Sequence, residues 1–289
     1  MLGLMQHDEL TVDEFLAYAE RWHGRTQVVS RCIDGVIERT DYATVAAHAR
    51  QVSAALFAWG VRQGDRIATL AANTARHLEC WYGIVGIGGV CHALNFRMSE
   101  DQLGYIINHA QDRLIFVEAQ FLPLLQAVAN QLDSVERIIV LGSYVEAPVT
   151  LLDRIEPFDA FVDRGGGLSS PWGGFDEQSA CGLCYTSGTT GSPKGVLYSH
   201  RSNYLHTLLT LQPDLMGLSA ADVIMPVVPL FHANAWGLVY AGPAVGAKLV
   251  LPGSRIDAAS LFELMESEGV TFAAGVPTVW LAFLDHLRA

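Results

Sequence analysis

Basic charge is scarce in this chain of 289 residues: 18 lysines and arginines face 30 aspartates and glutamates, a formal net charge of −12. Nucleic acid and anionic membrane surfaces are bound by clustered lysine and arginine, so neither is expected as a general partner. Any anionic ligand must be met locally. Cysteine is sparse as well. Cys32, Cys80, Cys91, Cys181 and Cys184 make an odd count without dense spacing, which argues against a disulfide scaffold and fits a reducing compartment, the cytoplasm. Cys181 and Cys184 stand three apart on an apparent strand, where such positions face opposite sides, so the pair reads as packing rather than as a redox or zinc site. Residues 1–8 have neither a basic start nor an apolar core, so no secretory signal is expected there. A long apolar run is missing too. The most apolar window, 223–251, is interrupted by Pro226, Pro229, His232, Asn234, Pro243 and Lys248, which excludes an integral membrane segment. The histidines other than His232 show no metal-ligand pattern, and no metal ligand is assigned.

What is present in quantity is apolar surface, 51% of the residues, enough for a large core and too much for a disordered chain. The spacing predicts a helix from a Thr11–Glu14 capping box to about Trp22. A hairpin follows, with a primed turn at Asp34-Gly35. The next helix runs from Asp41 to Gly60 with Val45, Ala49, Val52, Leu56 and Trp59 on one face. Short apolar strands at 66–72, 113–118, 137–141, 223–228, 247–251 and 271–274 then alternate with helical stretches, including helices near 202–211, 235–245 and 257–268 and one from Pro277. Such alternation predicts an α/β fold with doubly wound, mostly parallel sheets and flanking helices. The glycine-rich breaker at 163–174 suggests a division into a first α/β subdomain, 1–175, and a second, 176–289, which carries the loop described next.

Residues 186–192 form an unbroken hydroxyl-and-glycine run, Thr186, Ser187, Gly188, Thr189, Thr190, Gly191 and Ser192, ending in Pro193 and Lys194. Glycine lets backbone N–H groups converge, hydroxyls add donors, and lysine adds a compact positive charge, a combination suited to phosphate. The P-loop of kinases and GTPases is excluded. It requires Gly-Lys-Ser/Thr opening a helix, whereas Lys194 lies between Pro193 and Gly195 and a strand resumes after it.

The stretch Tyr185-Thr-Ser-Gly-Thr-Thr-Gly-Ser-Pro-Lys-Gly-Val196 resembles the phosphate-loop signature of the adenylate-forming superfamily, the acid-CoA ligases among them. Pro229-Leu-Phe-His-Ala-Asn-Ala-Trp236 and Gly275-Val-Pro-Thr-Val-Trp280 are similar to segments of medium- and long-chain fatty acyl-CoA synthetases. The resemblance implies the two wound sheets of that superfamily's large N-terminal domain, with its C-terminal lid domain and its adenine, ribose and magnesium contacts absent from this chain. It implies ATP, Mg2+ and coenzyme A as cofactors and a small-molecule carboxylic acid as substrate. A homodimer is kept open as the assembly. By resemblance, Lys194 and His232 are the catalytic residues, 186–191 with Lys194 close over the triphosphate, and His232 lies beside the carboxylate and adenylate. Trp236 borders the acyl space, and Gly275, Val276, Pro277 and Thr278 form a pocket wall. The chain corresponds to about the first half of such a ligase and is not expected to form acyl-adenylate alone. An aryl or short thioether acid as substrate, and a non-catalytic phosphate-binding fragment, remain alternatives.

Overall fold

The computed structural model describes residues 3, 5, 7–142, 151, 153–186 and 192–288. Helix α1 (Asp13–His23) starts without the expected capping box. Val12 occupies the cap position and no side chain bonds the first turn; the Glu14 N–H donates to the Thr11 carbonyl instead of its hydroxyl. Strands β1 (Gln27–Arg31) and β2 (Ile37–Asp41) form the predicted hairpin. Its turn is not primed: only Gly35 has positive φ, +89°. The Gly35 N–H donates to Cys32 O and the Cys32 N–H to Val36 O, the pattern of an ordinary turn closed by a left-handed glycine. Helix α2 (Tyr42–Trp59) is capped as the sequence predicts, with the Asp41 carboxylate accepting from the Thr44 N–H and Gly60 left-handed at its end.

The chain continues through β3 (Arg66–Leu70), α3 (Ala75–Gly86), β4 (Val90–Ala93), α4 (Glu100–Ala110), β5 (Leu114–Glu118), α5 (Leu122–Ala127) and β6 (Arg137–Leu141). Then come β7 (Ile155–Pro157), α6 (Phe158–Asp163), β8 (Ala180–Thr186), β9 (Lys194–Ser199), α7 (His200–Thr210) and β10 (Val223–Pro226). The last elements are α8 (Ala233–Trp236), α9 (Leu238–Val245), β11 (Lys248–Leu251), α10 (Ala258–Glu268), β12 (Phe272–Ala274) and α11 (Pro277–Arg288). The strands make a seven-stranded sheet in the order β7-β6-β5-β3-β4-β8-β9 and a five-stranded sheet in the order β12-β10-β11-β1-β2. All pairings are parallel except β8 with β9 and β1 with β2. The predicted class, two mostly parallel wound sheets with flanking helices, is the observed one.

The expected division at 175/176 does not separate these sheets. β1, from the first segment, pairs with β11 from the second and carries β2 with it, while β8 and β9 extend the sheet built by β3 to β7. The reason is that pairing in a parallel sheet is non-local, so a flexible stretch in sequence need not fall between sheets. Alternating strand residues explain the layering. Ile67, Cys91 and Phe116 of the large sheet and Val28 and Leu249 of the small one bury against α1, α2, α3 and α9 in a shared core. Ala68, Leu70, Ile115 and Val117 face the opposite way, toward α4 and α5. Val29, Met225 and Val250 do the same toward α10 and α11.

One polar residue ties the sheets end to end. Asn73 follows β3 and is 4% exposed. Its amide donates to Pro226 O at 2.8 Å and to Val228 O at 2.9 Å, and its oxygen accepts from the Leu230 N–H at 3.1 Å. Its own carbonyl accepts from the Gly253 N–H at 3.0 Å. The side chain thereby satisfies three backbone groups of the segment leaving β10. Asn73→Ala removes all three bonds while leaving their partners buried, at about 1 kcal/mol or more apiece. We expect it to lower unfolding free energy by about 3 kcal/mol, read from the urea midpoint at unchanged slope.

Candidate functional site

Because β8 runs parallel to β4, its last residue Thr186 lies at the carboxyl edge of the large sheet, the edge where wound sheets bind ligands. β9 returns antiparallel from that edge, with Lys194 directly opposite Thr186 and Gly195 opposite Tyr185. Both Thr186 and Lys194 are exposed. Ser187, Gly188, Thr189, Thr190 and Gly191 lie outside the described residues, so the hairpin stem is what the structure contributes to this part of the site. The chain has two lysines, and the other, Lys248, is bound to Glu268, Nζ to Oε2 2.9 Å. Together with the Glu268–Arg39 pair, that contact holds the Glu268 carboxyl well below the usual range, at about 2, the Arg39 bond being the larger cause. Lys194 thus stands as the accessible ammonium.

The segment after Pro229 departs from the expected helix beginning at Ala235. Ala233, Asn234, Ala235 and Trp236 have φ of 44°, 59°, 52° and 54°, a left-handed turn closed by Gly237 before α9 starts. For residues other than glycine that conformation costs about 1–2 kcal/mol each. What holds it is packing against β8: the Asn234 side chain is buried, 3.8 Å from the Cys184 thiol and 3.5 Å from Asn203 Oδ1. Cys184 precedes Thr186 by two residues, so the turn is docked on the stem that carries Thr186. Strain concentrated in this way is a mark of a site. The turn leaves His232 and Trp236 at its two ends. His232 is exposed, its ring rests 4.6 Å from that of Phe231, and among the described residues its ring nitrogens make no hydrogen bond. Partial burial of the imidazole, and then the charge of Arg97, hold its pKa below the ordinary value. Trp236 is 37% exposed.

A cavity of about 240 Å³ opens nearby, lined by Val227, Val228, Pro229, Ile256, Val276, Thr278, Val279 and Ala282, with Arg97 at its rim. Val276 and Thr278 are therefore wall residues of a real hollow, formed where β12 gives way to α11. Gly275 and Pro277 do not face it. Gly275 instead accepts a bond from Trp280 Nε1 at 2.8 Å, which fixes the turn. His232 and Trp236 lie outside the cavity as well. Arg97 was not singled out by the sequence, where a lone arginine after Asn95-Phe96 carries no signal. The fold gives it one: its guanidinium lies 5.7 Å from the Phe96 ring centroid and makes no ion pair among the described residues. Asn234 was missed for the same reason.

Cys181 and Cys184 are buried free thiols. Among the described residues, no group of three or more histidine, cysteine, aspartate and glutamate side chains could hold a metal ion, so no residue is assigned to magnesium. No helix among those residues is long and apolar enough to cross a membrane.

A family model described as AMP-binding enzyme matches residues 15–289. The chain is 46% identical to a 3-methylmercaptopropionyl-CoA ligase of Ruegeria lacuscaerulensis, over 99% of this chain and 53% of that protein. It is 46% identical to a long-chain-fatty-acid–CoA ligase of Thermus thermophilus, over 99% of this chain and 51% of the relative. The chain thus spans about half the length of the curated relatives it matches. The crystal structure of a long-chain-fatty-acid-CoA ligase from Archaeoglobus fulgidus is similar over 100% of this chain and 56% of its own, with a TM-score of 0.83 at 20% identity. That likeness concerns the fold.

The geometry around His232 yields a direct test. Arg97→Ala removes a positive charge that opposes protonation, so the His232 pKa should rise toward its ordinary value while remaining depressed by burial. An imidazole titration followed by NMR in both proteins measures this; an unmoved pKa would show that the Arg97 charge does not reach the ring.

Proposed function

The chain belongs to the AMP-binding enzyme family, and from that premise we propose that it is the part of an ATP-dependent acid-CoA ligase that handles phosphate and acid, acting on a fatty acid. In this reaction a carboxylate oxygen attacks the α-phosphorus of ATP and pyrophosphate leaves. The thiol of coenzyme A then attacks the acyl carbon and AMP departs. The observation that carries the reading is the hairpin stem presenting Thr186 and Lys194 side by side at the carboxyl edge of the sheet, with a strained, buried-anchored turn docked against it.

Each residue then has a physical task. Lys194, at about 4 Å from a phosphate oxygen, contributes an attraction on the order of 4 kcal/mol at an effective dielectric of 20. Thr186, with Ser187, Gly188, Thr189, Thr190 and Gly191, supplies donors to the same anion. The lowered pKa of His232 favours its neutral form, so it serves as a hydrogen-bonding partner of the acid rather than as a charge. Trp236 borders the acyl chain, and Val276 and Thr278, held by Gly275 and Pro277, wall its pocket. Mg2+ would neutralise pyrophosphate and coenzyme A would accept the acyl group; no residue of this chain is assigned to either. A cytoplasmic location and a homodimer complete the proposal, the first favoured by five unpaired cysteines.

The cavity volume favours a second reading. At about 240 Å³ it lies below the roughly 300–1,000 Å³ usual for ligand pockets, which suits a short acid such as the thioether acid named in the Ruegeria relative. An acid panel decides between the two.

In a form that also carries the length present in the relatives, Lys194→Ala should slow acid-dependent pyrophosphate release by about 10² to 10³, the scale for one electrostatic donor at developing charge. Unchanged release removes Lys194 from the mechanism. Trp236→Ala should shift chain-length preference more than the KM for ATP. An unaltered acid profile with a raised ATP KM would contradict its placement beside the acyl chain.

A further inference from the structure

Among the described residues β9 is an edge strand with a single neighbour, and four of its six residues are exposed. The lateral position of Lys194 therefore depends on contacts with β8. The most specific of these comes from Tyr185, the residue before Thr186 and the cross-strand partner of Gly195. An ideal Cβ at Gly195 would stand 3.2 Å from Tyr185 Cζ, so the tyrosine ring lies directly over the backbone beside Lys194. Its hydroxyl is 2.6 Å from His109 Nδ1 on α4, and His109 is itself stacked on Tyr105, ring centroids 5.3 Å apart. His92 lies 5.1 Å away, ring to ring. That ring cannot drift, because His92 Nδ1 is 2.7 Å from Asp112 Oδ2 and both side chains are fully buried.

We propose that Tyr185 is a positioning residue: its hydroxyl tether to His109, and its ring wedged between the His92–Asp112 pair and Gly195, set the spacing and twist of the stem that presents Thr186 and Lys194 to an anion. The proposal rests on the phosphate reading of that stem. Prearranged donors bind an anion better than donors that must be gathered on binding, since the ordering cost falls before the ligand arrives. If Tyr185 were only a core aromatic, removing its hydroxyl would cost stability and leave anion affinity alone.

The test is calorimetric titration of the 289-residue chain with inorganic pyrophosphate, in wild type, Lys194→Ala, Tyr185→Phe, His109→Ala and His109→Asn, each with its thermal midpoint. Wild type should bind and Lys194→Ala should bind much more weakly. Tyr185→Phe and His109→Ala should each weaken binding about three- to tenfold, the value of one hydrogen bond. His109→Asn, whose amide can occupy the Nδ1 position, should restore affinity, but not when combined with Tyr185→Phe. Wild-type affinity in Tyr185→Phe or His109→Ala, alongside a weak Lys194→Ala, overturns the tether and leaves the phosphate reading standing. Absence of binding in wild type, or equal binding by Lys194→Ala, overturns both. If Tyr185→Phe fails to fold, the two His109 variants decide alone, and loss without rescue by His109→Asn counts against the tether.

Discussion

Two sheets wound independently could meet at many angles; the bonds of Asn73 select one. A single side-chain amide spends both its donors and its acceptor on backbone groups of the segment leaving β10, and a further bond from its own carbonyl reaches Gly253 beyond β11. That segment contains Val227, Val228 and Pro229, which line the cavity, and runs on to His232. The position of the segment from Val227 to His232 is thus tied to the large sheet through a buried residue of the loop after β3. Polar satisfaction explains why no hydrophobic residue would serve there: the carbonyls of residues 226 and 228 and the N–H of Leu230 would each lose a buried hydrogen bond.

The same logic connects the stem to the turn. β8 carries Thr186 at its end, Cys184 against Asn234 and Tyr185 against His109, so one strand coordinates the hairpin, the left-handed turn and the frame of buried polar groups behind them. The sites assigned to phosphate and to acid are in this sense neighbours on one strand. The strain at 233–236 is affordable only because Asn234 is buried on that strand.

How much of this was legible beforehand depends on whether the cause was local. The β8–β9 stem was visible, since a run of hydroxyls and glycines between apolar strands admits little else, and the Asp41 and Gly60 caps of α2 follow from residue chemistry alone. β4 was overlooked because four residues containing Cys91 and His92 do not look like a buried strand until Asp112 is seen to hydrogen-bond the His92 ring. The left-handed turn was hidden by composition, as Ala-Asn-Ala-Trp reads as helix by propensity and the contacts of Asn234 with Cys184 and Asn203 override it. The Thr11 capping box failed for a related reason: the helix starts one residue later than its best cap. The sheet membership of β1 depends on a partner more than two hundred residues away, which no window of sequence contains. Arg97 is the clearest limit, since its interest comes wholly from a cavity assembled by the segments that follow β10 and β12 together with Ile256 and α11.

The pairing of Lys248 with Glu268 has a practical side. With that amine engaged and only two lysines in the chain, a reagent that modifies primary amines has one readily reached side chain, at the head of β9, apart from the α-amino group. A fluorophore or isotopic tag could therefore be installed at the hairpin without mutagenesis, and trypsin, which cleaves after lysine and arginine, would find there a lysine bond on an exposed strand edge whose rate of cutting reports how firmly that edge is held.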